Sequence, residues 1–518
     1  MNEPAKARIP SQIPFIIANE GCERFSFYGM RNILVQFLTT SLLLSIMPDK
    51  AARELHAKDL FHLFVVGVYF FPLLGGYLAD RFFGKYNTIL WFSLIYCVGQ
   101  GLLALFVDEP NGFYTGMFLI ALGSGGIKPL VASFMGDQFD SRTKHLAKLT
   151  FDAFYWIINF GSLFASLLMP MFLTELGPRV AFGIPGILMF IATVVFWAGH
   201  RRYVMVKPPP QNPHSFMKVA RTALFARVPG KSNPGLTVAV IGVVVALASL
   251  SLAPYLKFHE LYLIPCIMLV VLLGFGGLGT SLQLERARGK HPDEAVDGVR
   301  AVLRILIVFA LVTPFWSLFD QKASTWVLQA NDMTKPSWFS SSQMQALNPA
   351  LVMVIIPFNN LVLWPYLRKR GREPSQLNKM NLGIALSAIA WVVVGVMQLV
   401  IDSGTRFSIT WQILPYVFLT AGEVLVSATG LEFAYSQAPL AMKGAIMSFW
   451  NLAVTIGNIW VLLVNHSIKG EAITSHIKDT GISVTAFLMF FFAAFAFAAA
   501  IAFRSYAKRY RMIDNYRG

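Results

Sequence analysis

The sequence predicts an all-α integral membrane protein, with twelve core transmembrane helices in two six-helix bundles and two additional helices between them, fourteen in all. Three observations carry that expectation. Apolar runs of about twenty residues, enough helix to cross a hydrocarbon core of roughly 30 Å, recur from one end of the chain to the other. Only 14% of the 518 residues are charged while 55% are apolar, and the mean hydropathy is +0.57; a soluble domain carries charges at about a quarter of its positions. Lysine and arginine also concentrate in alternate loops, the asymmetry that sets the orientation of membrane proteins.

In order, the expected spans lie near 14–46, 60–82, 86–107, 113–135, 149–173, 180–200, 236–256, 261–284, 301–329, 349–367, 378–401, 409–436, 440–465 and 483–505. Turn-forming stretches separate them, among them Met47-Pro48-Asp49, Asp108 to Gly112, Gly177-Pro178 and Pro208-Pro209-Pro210. With the N-terminus inside, the inside loops and their adjoining span ends hold 30 of the 43 basic residues, the outside loops 9, and the spans 4: Arg24, Arg31, Lys128 and Lys322. Both termini are therefore expected in the cytoplasm, in a cell (inner) membrane. The chain divides into an N-terminal bundle (1–200), basic cytoplasmic linkers carrying the extra pair at about 236–284 (201–300), and a C-terminal bundle with a cytoplasmic tail (301–518). Arg201 to Lys231 holds seven basic residues and no acid, which suits a linker beside anionic lipid.

A formal charge of +16 does not indicate nucleic-acid binding, because the bases sit in short loops rather than in one patch on a soluble domain. Cys22, Cys97 and Cys266 lie inside apolar segments, and none belongs to a CxxC or Cys/His cluster, so neither a disulfide nor a structural metal is expected. The N-terminal MNEPAKARIPSQIPF lacks the pattern of a cleaved signal peptide. Gly274, Gly276 and Gly279 match GxGxxG, yet no strand precedes them, and no nucleotide site is expected. A membrane enzyme would need a catalytic cluster at mid-membrane; His62 and His466 are expected near span ends, so no enzyme and no cofactor beyond a coupling proton is anticipated. Two bundles of six suit a secondary transporter with its site at the midplane, a role that must be read from the polar residues inside the spans.

A charge at the bilayer centre costs roughly 2.5–3.5 kcal/mol on insertion scales, so such residues must pair or line water. In the first span Glu20, Glu23, Arg24, Tyr28 and Arg31 share one helical face. In the fourth, Lys128 follows Gly123, Gly125 and Gly126 and precedes Pro129, where the backbone can pack closely or open. Asp320 stands in FWSLFDQ, Glu423 and Ser427 at i and i+4 in a later span, and Asn159 and Asn348 add neutral hydrogen-bonding groups. Tyr69, Tyr155, Trp316 and Trp450 offer aromatic walls for a pocket. Asp320 lies in one bundle and the bases Arg31 and Lys128 in the other, so rocking bundles should make and break a bridge: Asp320 to Arg31 or Lys128, across the outer side, when the site faces inward.

These residues carry a resemblance over nearly the whole chain. Glu20-Gly-Cys-Glu23-Arg24-Phe25-Ser-Phe27-Tyr28 resembles the ExxERFxYY signature of the proton-dependent oligopeptide transporter family, and GGYLADRFFGK at 75–85 resembles the loop motif of the major facilitator superfamily. GSGGIKP, FMGDQF, FYWIINFGS and FWSLFDQ are further matches, and the extra helix pair resembles the bacterial members. The resemblance implies the major facilitator fold and proton-coupled import of di- and tripeptides by alternating access. It assigns proton coupling to Glu20, Glu23 and Arg24, with Asp320 and the second-helix histidine His62 beside them; the peptide carboxylate to Arg31 and Lys128; and its amino end to Asn159, Asn348 and Glu423. Tyr28, Tyr69, Tyr155, Trp316, Ser427 and Trp450 would line the pocket. Anchoring a zwitterion by its two ends needs one fixed pole of each sign and leaves the side chains unread. Phe27 departs from the family's first tyrosine. A carrier of nitrate or another small anion on the same fold is the alternative; retention of the ExxER triad and of Glu423 favours peptides.

Overall fold

The computed structural model describes residues 9–140, 143–206, 212–228, 230, 232–257, 260–437 and 443–512. Twelve segments are long and apolar enough to cross a membrane. One of them, Lys50–Leu105, is two helices, α2 (Lys50–Leu78) and α3 (Gly84–Leu105), which meet at Gly84 with φ 72°, a conformation that glycine adopts without steric cost. α1 (Ile13–Phe37) is a further long helix whose hydropathy is lowered by Glu20, Glu23, Arg24 and Arg31. With α1 and that division, the long helices among the described residues number fourteen. The first group continues with α4 (Pro110–Ile127), α5 (Lys144–Glu175) and α6 (Pro178–Ala198). Then come a short amphipathic helix α7 (Phe216–Phe225) and the pair α8 (Pro234–Ala248) and α9 (Leu263–Gln283). The second group is α10 (Asp293–Asp320), α11 (Leu347–Phe358), α12 (Gln376–Asp402), α13 (Ile413–Gln437), α14 (Lys443–Ser467) and α15 (Val484–Ala507).

Several boundaries differ from the sequence reading, each for a local reason. α2 starts at Lys50, well before the expected 60, because Asp49 caps it by accepting a bond from the Ala52 N–H at 2.7 Å. That extension carries His62 from the expected helix end into the helix interior. The expected first span to 46 is α-helical only to Phe37 and passes into a π turn at Leu38–Leu42. The fourth expected span breaks at Lys128, where α4 ends ahead of Pro129 and a short helix Val131–Gly136 follows. α10 begins at Asp293 and ends at Asp320, followed by a 3-10 turn, so 301–329 is not one helix. The linker 201–235 contains α7, whose Phe216, Val219, Ala220 and Ala223 are buried.

Two apolar clusters form the cores. One is built mainly from α1 to α6, the other from α7 and α10 to α15. The pair α8 and α9 is peripheral: only 17% and 22% of their most apolar stretches are buried in protein, against 72% for that of the segment Asp293–Asn331. It still touches both halves. Tyr262, just ahead of α9, donates from its hydroxyl to the Leu63 carbonyl of α2, while Gln283 at the other end donates to the Ala223 and Leu224 carbonyls at 3.0 and 2.7 Å and caps α7.

Contacts between the halves gather at one end of the bundle. There Lys50 pairs with Asp332 at 2.9 Å, and Asp59 accepts from Asn465 at 3.0 Å and pairs with Lys469 at 2.7 Å. Within the N-terminal half, α2 and α4 approach backbone to backbone. A Cβ on Gly75 would stand 2.3 Å from the Gly125 carbonyl oxygen, and one on Gly125 would stand 2.5 Å from the Phe71 Cβ. Gly125→Val is therefore expected to separate α2 from α4 and to lower the thermal unfolding midpoint of detergent-solubilised protein by several degrees, overpacking typically costing about 1–3 kcal/mol. An unchanged midpoint would mean that the two helices can part without loss.

Candidate functional site

Helical spacing assembles the first part of the site. On α1, the Arg24 Nε lies 2.8 Å from Glu20 Oε1 and 2.7 Å from Glu23 Oε2, and all three side chains are buried. Two carboxylates thus close on one guanidinium nitrogen, which leaves a net negative charge to be met from elsewhere or by a proton.

The second part joins the halves. Arg31 Nη2 donates to Asp320 Oδ1 at 2.7 Å, with side chains 8% and 3% exposed. Asp320 Oδ2 accepts from Asn458 Nδ2 at 2.8 Å, and Asn458 Oδ1 stands 2.7 Å from His62 Nδ1. The carboxylate can only accept, so the Asn458 amide must present its NH2 to Asp320 and its oxygen to His62. It follows that His62 carries a proton on Nδ1 and turns Nε2 to the Ser324 hydroxyl at 3.0 Å. Breaking a buried, hydrogen-bonded pair costs about 3–5 kcal/mol, whereas exposed pairs such as Lys50–Asp332 contribute about 0–1 kcal/mol. Closure at this end therefore rests on Arg31–Asp320 more than on the surface bridges.

The third part is a cavity of about 140 Å³ between the halves. Arg31, Tyr28, Tyr69 and Asn159 wall it from one side, and Trp316, Asp320, Lys322, Asn348 and Glu423 from the other. Asn348 Nδ2 donates to Glu423 Oε2 at 2.6 Å and to Thr420 Oγ1 at 3.1 Å, while Asn348 Oδ1 accepts from Lys322 Nζ at 2.7 Å. The cavity thus has a guanidinium on one wall and a carboxylate on the opposite one, with aromatic faces between.

Not every expected residue meets this cavity. Lys128 stands behind it, 3.9 Å from the Phe27 ring centroid and 4.5 Å from that of Tyr69, held by cation–π contact rather than by an acid. The bridge from Asp320 goes to Arg31, not to Lys128. Tyr155 is 49% exposed on α5 and is absent from the cavity wall, its carbonyl accepting from Asn159. Trp450 packs edge-on against Trp316 from behind, with centroids 6.0 Å apart, and Ser427 likewise stays off the wall. Four residues of these networks were not assigned a role from the sequence. Lys322 had a signal, being an intramembrane base; Asn458, Ser324 and Thr420 had none, because neutral side chains do not stand out in an apolar run.

The sequence pattern described as the POT family matches residues 86–472. Peptide transporter 3 of Caenorhabditis elegans is 33% identical over 420 residues, covering 77% of this chain and 52% of that protein. Solute carrier family 15 member 2 of Mus musculus is 32% identical over 523 residues, covering 91% of this chain and 64% of that protein. The chain thus spans between half and two thirds of the length of these curated relatives. Among solved structures, an auto-inhibited POT family peptide transporter is 65% identical with a TM-score of 0.95, over 98% of this chain and 99% of that one. The POT family transporter PepTSo is 63% identical, also with a TM-score of 0.95, over 98% and 100%.

If Arg31–Asp320 holds the closed end, Asp320→Asn should loosen it. Paired spin labels placed near residues 48 and 336 are expected to gain a population at longer distance in the variant. Distance distributions that superpose on those of the unmodified protein would assign closure to the other contacts.

Proposed function

The chain belongs to the POT family, and from that premise we propose that it is a proton-coupled symporter importing di- and tripeptides across the cell (inner) membrane by alternating access, with both termini cytoplasmic. One observation carries the reading: the cavity between the halves sets Arg31 on one wall against Asn348 and Glu423 on the other. A zwitterionic peptide matches that polarity end to end, and a small anion would use only one pole of it. In this reading Arg31 takes the carboxylate, with Lys128 behind its aromatic screen adding positive charge, and Asn159, Asn348 and Glu423 take the amino end. Tyr28, Tyr69 and Trp316 meet variable side chains through faces that do not discriminate strongly between them. In this reading the closed end is the outer one.

Proton coupling falls to the Glu20, Glu23, Arg24 group and to His62 and Asp320. Substrate carboxylate and Asp320 compete for Arg31, so occupancy weakens the contact that closes the outer side. An inward potential of 100 mV adds about 2.3 kcal/mol per proton charge, enough to drive accumulation.

The test is uptake into proteoliposomes under an inward proton gradient. Labelled dialanine is expected to accumulate, dialanine amide much less because it lacks the carboxylate, and nitrate not at all. Nitrate uptake without dialanine uptake would overturn the proposal. Glu23→Gln separates coupling from binding: glutamine mimics the protonated acid but releases no proton, so gradient-driven accumulation should fall to the leak level while exchange of peptide for peptide persists. Accumulation at the unmodified level would remove Glu23 from the coupling.

A further inference from the structure

Lys322 stands two residues beyond Asp320, is 4% exposed, and has no part in the roles proposed above. Its ammonium donates to Asn348 Oδ1 at 2.7 Å and lies 3.3 Å from the centroid of the Phe319 ring. An ammonium can only donate, so the Asn348 oxygen must face Lys322; the amide NH2 then faces Glu423 and Thr420, as the 2.6 and 3.1 Å contacts require. Lys322, Asn348 and Glu423 all line the same cavity. The oxygen that would receive a peptide's amino end is already occupied, and its occupant has the chemistry of that end: a primary ammonium with three donors and no acceptor.

We propose that Lys322 is a tethered stand-in for the substrate's α-ammonium, filling the amino-end subsite when no peptide is bound and being displaced from Asn348 by the peptide. The inference rests on the peptide reading and adds a specificity-determining residue to it. Two physical reasons support it. A half-buried carboxylate on the cavity wall such as Glu423 is stabilised by a nearby cation when the cavity is empty, and Lys322 supplies one through the amide. A ligand that displaces Lys322 must bring its own cation to the same place, or Asn348 and Glu423 lose their partner. Selectivity for a free amino end then arises partly from a penalty on ligands that lack one. The Phe319 face holds the lysine from its other side, so leaving Asn348 does not strand the charge.

The test compares dialanine with N-acetyl-dialanine in equilibrium binding to the full chain in nanodiscs, for the unmodified protein and for Lys322→Met, which keeps the length of the side chain and removes its charge. Removing a competitor that occupies the subsite most of the time should tighten dialanine binding by about tenfold and leave the acetylated peptide unchanged. Dialanine affinity that is unchanged or weaker in Lys322→Met, or equal shifts for both ligands, overturns the role of Lys322 and leaves the peptide reading intact. Failure of the unmodified protein to bind dialanine overturns the peptide reading, and this inference with it. A structure of the unmodified protein with dialanine gives a second readout independent of how the variant folds. The Lys322 ammonium is expected beyond hydrogen-bonding distance of Asn348 Oδ1, and a retained contact beside bound peptide overturns the proposal.

Discussion

Charges cannot be left unpaired in a hydrocarbon core, and the Arg31–Asp320 pair is where this chain meets that constraint across its two halves. Each partner is buried and belongs to a different half, so neither can be neutralised without the other while the halves touch. If the halves part, both must find water, substrate or a proton. The extended α2 and the surface bridges Lys50–Asp332 and Asp59–Lys469 gather around the same end, but they are partly solvated and individually weak. The buried pair makes the closed arrangement a discrete state.

Two asparagines of the C-terminal half act alike. Asn458 stands between Asp320 and His62, and Asn348 between Glu423 and Lys322. In each case a carboxylate fixes which way the amide points, and the amide then fixes what its other neighbour must offer: a proton on His62 Nδ1, or a cation at Lys322. An amide passes on polarity without itself titrating, so each acid is linked to its neighbour while direct proton exchange between them is interrupted. Phe27 fits the same economy of charge. In place of the hydroxyl that the family signature carries, it presents a plain aromatic face to the Lys128 ammonium, a neutral way of keeping a half-buried base among other charges.

The pair α8 and α9 lies mostly toward lipid, but its ends engage different halves, Tyr262 on α2 and Gln283 on the linker helix α7. The Leu63 carbonyl that Tyr262 meets adjoins His62, and a Cβ on Gly67, one turn on, would crowd the Tyr262 ring at 3.2 Å. The accessory helices are therefore in contact with the same helix that carries part of the cross-half network.

The sequence by itself determined the elements whose physics is local. Apolar runs set the long helices, because the length of a membrane helix follows from bilayer thickness. The i, i+3, i+4 spacing set the Glu20, Glu23, Arg24 cluster, because a helix brings those positions together whatever surrounds it. Asp320 was readable as needing a base from the other half, but not which one. Arg31 and Lys128 have equal charge, and only the packing shows that aromatic rings already hold Lys128 while Arg31 reaches across. The depth of His62 depended on a cap at Asp49 beyond the apolar run, and the parts played by Asn458, Ser324 and Lys322 depended on partners far away in the chain. Tertiary structure decided those contacts because orientation and neighbourhood across two bundles are set by the packing of whole helices, which no local spacing encodes.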